Sequence, residues 1–352
     1  MKKEATNNSW SCPVPGQPDQ KIVIAHGGGG RLMHQLIDRV CRGQFDSGNN
    51  NVWHDGAVVN ISTSRLAFTT DSYVVRPLFF PGGNIGSLAV FGTVNDLAMC
   101  GAKPLGISCA FIIEEGFDIG ELEKITASMQ QAAETVGTAI ITGDTKVVDR
   151  GKGDGLYINT AGIGLIECEN NINPGMINSG DTIILSGDIG RHGIAVMAAR
   201  EGLQFETPLE SDCASLWSPV KTLLDDGIDI HCLRDLTRGG LGSALVEIAE
   251  AAGHDLVIEE QAVAVSPAVA GACEILGFDP LFVANEGRFV AFIPRYQAEQ
   301  ALKILLENEV CNGSSIIGSV TGPGNGKVVL QTVIGSERII DMPSGEQLPR
   351  IC

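Results

Sequence analysis

Long apolar runs are absent from this sequence. Each is broken by glycine or charge well before the ~18 residues that a membrane-crossing helix needs. The opening stretch MKKEATNNSWSCPVPGQPDQ holds no apolar segment of the kind a secretory signal requires. Neither export nor a membrane span is expected. Basic residues are scarce as well: 24 Lys and Arg stand against 42 Asp and Glu, a formal net charge of -18. That field repels nucleic acid phosphates and anionic membrane surfaces, so neither is expected as a partner. A polyanionic ligand would need a bridging cation, and the excess of carboxylates can hold Mg²⁺ together with substrate phosphates. The ten cysteines form no C-x-x-C pair, and a reducing, cytoplasmic setting fits best. Most of them lie in apolar runs, where a thiol behaves as a small hydrophobe. The six histidines show no ligand spacing such as H-x-x-x-H, which argues against a transition-metal site.

Familiar nucleotide signatures are missing too. The run Gly322–Lys327 (GPGNGK) has Thr where the first Walker A glycine belongs and Val328 where Ser or Thr belongs, so it reads as a turn. The glycines Gly27–Gly30 fail the G-x-G-x-x-G spacing, and no kinase motif set appears. If ATP binds, another architecture holds it.

A chain of 352 residues exceeds the roughly 250–300 at which single cores stop growing, so two domains are expected. Lys21–Ala25 reads as a strand running into the glycines, and Arg31–Cys41 as a helix with Leu32, Met33, Leu36, Ile37 and Val40 on one face. Gln44–Asp55 reads as a loop. Strands are expected at Ala57–Ser62, Arg65–Val75, Ile107–Glu114, Thr138–Val148 and Gly155–Ile166, with helices at Gly86–Cys100 and Gly120–Val136. Asn170–Gly180 (NNINPGMINSG) is the expected boundary. Beyond it, strands near Asp181–Ser186, His254–Glu259, Leu281–Ile293 and Ser315–Val320 mix with helices near Gly193–Glu201, Gly239–Ala252, Pro267–Leu276 and Gln297–Asn308. The expected organisation is a loose arm (1–20), two α/β domains (21–168 and 169–340) and a mobile tail (341–352).

Four acids stand in Gly-, Thr- or Asn-containing contexts: Asp71 in FTTDSYVV, Asp96 in GTVNDLAM, Asp144 in ITGDTKVV and Asp235 in LRDLTRGG. One such Asp is ordinarily a cap or turn residue. Several together suggest carboxylates holding Mg²⁺ against a triphosphate, with the Gly27–Gly30 backbone free to approach phosphate oxygens.

The strings DSYVVRPLFFPGGNIGSLAVFGTVNDLAMCGA, ITGDTKVV, RDLTRGG and NEGRFV and the ending PRIC, in this order, resemble the HypE family of hydrogenase maturation factors. That family belongs to the ATP-dependent superfamily of aminoimidazole ribonucleotide synthetase and selenophosphate synthetase. The resemblance runs from about Lys21 to Cys352. It implies a mixed α/β (α+β), two-domain fold of the aminoimidazole ribonucleotide synthetase type. The N-terminal domains would pair into a β-barrel-like core of a homodimer, with MgATP in the cleft between domains. It implies nucleotide contacts at Gly27, Gly28, Gly29, Asp71, Asn95, Asp96, Asp144, Thr237 and Arg238, and metal ligation by Asp71, Asp96 and Asp235. The implied activity is carbamoyl dehydration: the carbamoyltransferase HypF loads a carbamoyl group on the terminal thiol of Cys352. Dehydration then gives a thiocyanate, whose cyanide passes to iron on a HypC–HypD scaffold.

The chemistry explains why such a reaction takes ATP. The oxygen of S–C(=O)–NH₂ is a poor leaving group until it is phosphorylated. A carboxylate must remove protons from nitrogen, typically worth ~10²–10⁴-fold, and Glu286 in ANEGRFV is the candidate. Lys146 in GDTKVV would neutralise charge on the transferring phosphoryl group or the imidate oxygen. The plain alternatives are a capping Glu and a solvated Lys. Cys352 is the proposed carrier, although a tail thiol at its ordinary pKa of ~8.5 is little ionised. A chain end can thread a narrow cleft and also swing out to a second enzyme. A selenophosphate synthetase-like enzyme is the neighbouring alternative, but its loop needs a Cys or selenocysteine and a Lys where this chain has HGGGGR. A non-catalytic assembly scaffold that docks partners through its tail is the other.

Overall fold

The computed structural model describes residues 30–38, 55–61, 64–202, 209–343 and 351. The expected arm, the strand at Lys21–Ala25, the loop glycines Gly27, Gly28 and Gly29, and Cys352 lie outside the described residues.

The first half builds β1 (Ala57–Ile61), β2 (Ser64–Tyr73), the short β3 (Phe79–Phe80) and β4 (Gly83–Asn84), β5 (Ala102–Glu114), β6 (Ile140–Val148) and β7 (Leu156–Ile166). Five of these form one sheet in the order β1-β2-β7-β5-β6. Its pairs are antiparallel except β5–β6. That parallel pair needs a crossover, which the helix Ile119–Val136 supplies; Asp118 caps its first turn and Gly137 closes it at φ 78°.

Helix Ile85–Met99 starts at a capping box between Asn84 and Ser87. Its sequence is apolar almost all round, as expected of a helix with neighbours on every side. It lies on β2, β5 and β7 and also meets the second domain at helix Trp217–Asp225 and the strand at Cys232–Asp235. Asn95 and Asp96, two polar interruptions of this helix, are thereby carried to the seam between domains.

The second half forms β8 (Thr182–Leu185), β9 (Cys232–Asp235), β10 (His254–Glu259), β11 (Phe289–Ile293), β12 (Ser315–Pro323), β13 (Val328–Gln331) and β14 (Glu337–Ile340). They make one sheet in the order β14-β13-β10-β12-β8-β11-β9. β11 (FVAFI) is buried at every residue, which is why it reads as an unbroken apolar run. Helices Arg191–Glu201, Gly240–Ala252, Pro267–Leu276 and Ala298–Leu306 fall close to their expected positions.

The strand expected over Leu281–Ile293 is shorter: only Phe289–Ile293 pairs, and Pro280–Phe282 is a 3₁₀ turn. The intervening polar residues are taken up by side-chain hydrogen bonds instead of a ladder: the Asn285 carbonyl accepts from Gly190 N, and Arg288 donates to Asp188. The GPGNGK segment does turn between β12 and β13, as its sequence suggests.

One apolar cluster spans both halves. It joins Tyr73, Val75, Phe80 and Ile85 to Ile194, Val196, Val269 and Val283, and it includes Ile351. Ile351 is only 6% exposed and forms an isolated antiparallel bridge with Val75. Ile351, in the tail expected to be mobile, packs into this core, where an isoleucine side chain gains by burial. Helix Arg31–Ile37 reaches the second domain: Arg31 pairs with Asp341 at 2.6 Å and His34 with Glu247 at 3.1 Å. Among the described residues no helix is long and apolar enough to cross a membrane.

Candidate active site

Three chain segments bring carboxylates together at the seam. Asp55 precedes β1, Asp96 lies on helix Ile85–Met99, and Asp235 ends β9; one oxygen from each lies within 4.8 Å of the others. Thr69 on β2 donates to Asp96 Oδ2 at 2.6 Å, and Arg234 pairs with Asp55 at 3.2 Å and with Glu247 at 2.6 Å. Carboxylates this close repel one another, and burial adds to that cost. Burial, then Asp235, Asp71 and Asp55, push the Asp96 carboxyl well above its ordinary range. Burial and Asp55 push Asp235 up to about 8. A set of hard oxygen donors that resists ionisation on its own is suited to Mg²⁺, which would neutralise it.

Asp71 lies inside β2 next to this triad rather than in it. Its Oδ1 accepts from Ser72 N at 2.8 Å and stands 3.9 Å from the Arg238 guanidinium. Thr237 Oγ1 donates to Asp235 Oδ1 at 3.4 Å. Asp71, Asp96, Asp235, Thr237 and Arg238 therefore share one region. Asp55 was missed; its only sequence signal is an acid followed by glycine just ahead of a strand.

Glu286 reaches the same region from the segment before β11. It is 3% exposed, and its Oε1 has no hydrogen-bond partner among the described residues. Burial, then Asp235, Asp71 and Asp212, hold its carboxyl well above the usual range. Its backbone is clamped: Asp212 Oδ2 accepts from Glu286 N at 3.3 Å and Gly287 N at 3.1 Å. Gly287 permits that approach, since a Cβ there would stand 1.9 Å from the Asp212 carbonyl oxygen.

Asn95, an expected nucleotide contact, makes three hydrogen bonds to backbone groups. Its amide nitrogen donates to the carbonyls of Ala214 (3.0 Å) and Glu286 (3.2 Å), and its oxygen accepts from Leu216 N (2.7 Å). Both ends of the amide are used in holding Glu286 and the Ala214–Leu216 backbone.

Asp144 and Lys146 do not join this group within one chain. They pair with each other at 2.7 Å on the edge strand β6, and that contact lowers the exposed Asp144 carboxyl. Paired residues share a sheet face and successive residues alternate. Asp144 registers with Ala110, Asn159 and Ser72, whereas Asp71 registers with Thr160 and Cys109. Asp144 and Lys146 thus stand on the face opposite Asp71, three strands away, or ~14 Å.

Near Glu286, Ile351 is docked. His192, at the start of helix Arg191–Glu201, donates from Nε2 to the Ile351 carbonyl. Its own backbone N–H bonds Asp212 Oδ1 at 3.1 Å. Cys352, the expected carrier, is the next residue and lies outside the described residues.

Sequence comparisons bear on what this seam serves. Residues 53–166 match the AIR synthase related protein N-terminal domain and residues 178–331 its C-terminal domain. The carbamoyl dehydratase HypE of Rhodobacter capsulatus is 46% identical over 336 residues, covering 95% of this chain and 99% of that protein. The chain belongs to the HypE family. Among solved structures it is similar to a HypE–HypF complex, with TM-score 0.83 and 44% identity over 88% of this chain and 99% of that one. It is also similar to a HypE in complex with ATP, with TM-score 0.80 and 43% identity over 94% of this chain and all of that one. These HypE likenesses run through both domains, so the family's fold is that of the whole described chain.

Proposed function

We propose that the chain uses ATP to dehydrate an S-carbamoyl group on Cys352 to a thiocyanate during hydrogenase maturation. The single observation that supports the assignment of the carrier is the docked Ile351, the residue before Cys352, whose carbonyl meets His192 in the buried bracket that also holds Glu286. In this scheme the carbamoyl oxygen attacks the γ-phosphorus of ATP, the bond to the bridging oxygen breaks and ADP leaves. Loss of one N–H proton gives an O-phosphorylated imidate. Glu286 takes the second N–H proton, the C–O bond breaks, phosphate departs and C≡N forms. Asp55, Asp96 and Asp235, with Asp71 beside them, would hold Mg²⁺, which when bound would neutralise phosphate charge and the Asp235 and Asp71 carboxylates that, after burial, raise the Glu286 carboxyl. Thr237 and Arg238, beside Asp235 and Asp71, would meet phosphate in this reading, and the Gly27–Gly29 loop is assigned to the same role.

Lys146 and Asp144 act, in this reading, on the site of a second copy. Phe68 and Ile112 are 50% and 43% exposed on the same sheet face as Lys146, beside β6, an edge strand among the described residues. Exposed apolar side chains beside a sheet edge invite a cover, which a homodimer would supply. HypF is the carbamoyl donor's enzyme, a HypC–HypD scaffold the cyanide acceptor, and the cytoplasm the compartment. The test is intact mass spectrometry after incubation with HypF, carbamoyl phosphate and ATP. A gain of one carbamoyl group at Cys352, followed by loss of one water that depends on ATP, is the expected course. Loading at any other residue refutes the assignment.

A further inference from the structure

We propose that His192 is a positioning residue that latches the chain terminus in the register its chemistry requires. This rests on the reading of Cys352 as the carrier. His192 is fully buried and lies edge-on to Phe80, ring centroids 5.3 Å apart. Its Nε2–H donates to the carbonyl of Ile351, the last peptide before Cys352. The other ring nitrogen lies 2.8 Å from Ser211 Oγ, which in turn accepts from Cys213 N at 3.0 Å. With the lone pairs of Oγ turned to Cys213, its proton points at Nδ1 and the imidazole is fixed as the Nε2–H tautomer.

The next residue completes the device. Asp212 Oδ1 accepts from His192 N while Oδ2 accepts from the backbone of Glu286 and Gly287. Ser211 and Asp212 thus set both the group that grips the terminus and the backbone that aims the proposed base. Grip and base share one rigid reference, so the thiocarbamate meets Glu286 in a fixed geometry. When the terminus leaves to be loaded, Nε2–H loses its partner, and restoring that bond draws the terminus back.

His192→Phe keeps the ring against Phe80 and removes the donor, whereas His192→Gln places an amide N–H near the Nε2 position. Three readouts on the full chain test the latch: the rate of Cys352 alkylation by iodoacetamide, HypF-dependent loading, and single-turnover loss of water followed by intact mass. His192→Phe should raise alkylation about threefold to tenfold, the ratio one net hydrogen bond corresponds to. It should slow dehydration by at least as much and leave loading unimpaired, and His192→Gln should restore both rates. Ser211→Ala, a milder change that frees the tautomer, should shift alkylation the same way by a smaller factor. Unchanged alkylation in both His192→Phe and Ser211→Ala overturns the latch, as does dehydration at the wild-type rate in His192→Phe. Failure of the wild-type chain to load at Cys352 would instead overturn the carrier assignment, with alkylation still deciding whether His192 holds the terminus.

Discussion

Replacing Asp235 with Asn should make the nucleotide-free protein more stable at pH 8 while abolishing its use of MgATP. Asp235 is 6% exposed and its carboxyl is raised from 3.8 to about 8 by burial and by Asp55. Between these values the folded chain holds a proton that the unfolded chain has released. Stability therefore falls as pH rises through this window, by about 1.4 kcal/mol per pH unit for one proton. From pH 6 to pH 8 the loss approaches about 2–3 kcal/mol, or roughly 5–10 °C in Tm by the scaling for large domains. Asn has the same shape, can still accept from Thr237, and takes up no proton, so its profile should be flatter and its Tm higher than wild type at pH 8. Scanning calorimetry at pH 6, 7 and 8 in EDTA measures this, and a repeat with MgATP should restore the wild type by linkage but not the variant. A wild-type Tm flat from pH 6 to pH 8, or an Asn variant less stable than wild type at pH 8, would refute the argument that these carboxylates are mutually strained.

Glu286→Gln should load at Cys352 normally and then stall, with dehydration slowed by about 10²–10⁴-fold; intact mass should display the trapped carbamoyl species. Cys352→Ala should not be loaded, yet should bind MgATP with wild-type affinity by calorimetry, since only the sulfur is removed. Gly287→Ala should destabilise the fold by about 1–3 kcal/mol in denaturant titration, because its Cβ would meet the Asp212 carbonyl oxygen at 1.9 Å. Wild-type stability there would mean that the Asp212 segment yields.

Much of the fold was legible because long elements announce themselves. The helices Ile119–Val136 and Gly240–Ala252 end at glycines in the left-handed region and carry clear apolar faces. β13 and β14 are short and carry polar residues such as Gln331, Glu337 and Arg338, and went unanticipated; β8 is as short but was expected from its apolar Ile183–Leu185. The helix Trp217–Asp225 was also missed: its N-cap position is Leu216, which makes no side-chain cap, so the usual capping signal is absent.

For the site, the sequence by itself determined the chemistry on offer: acids in Gly- and Thr-bearing contexts, a Glu in NEGR, and a cysteine at the end of a PRIC tail. Motif order and spacing were enough to indicate the family, since they need no three-dimensional partner. Only the tertiary structure decided which acids meet. Asp55 joins Asp96 and Asp235 because a loop, a buried helix and a strand end converge at the seam, and nothing local in the sequence encodes that meeting. Alternation along a strand placed Lys146 on the face opposite Asp71, although both stand in acid-bearing strings of the same kind. His192, Ser211 and Asp212 look like an ordinary helix start and a polar loop until Ile351, far along the chain, folds back onto them. Contacts between segments this distant in sequence arise from the shape of the packed core, which no window along the chain contains.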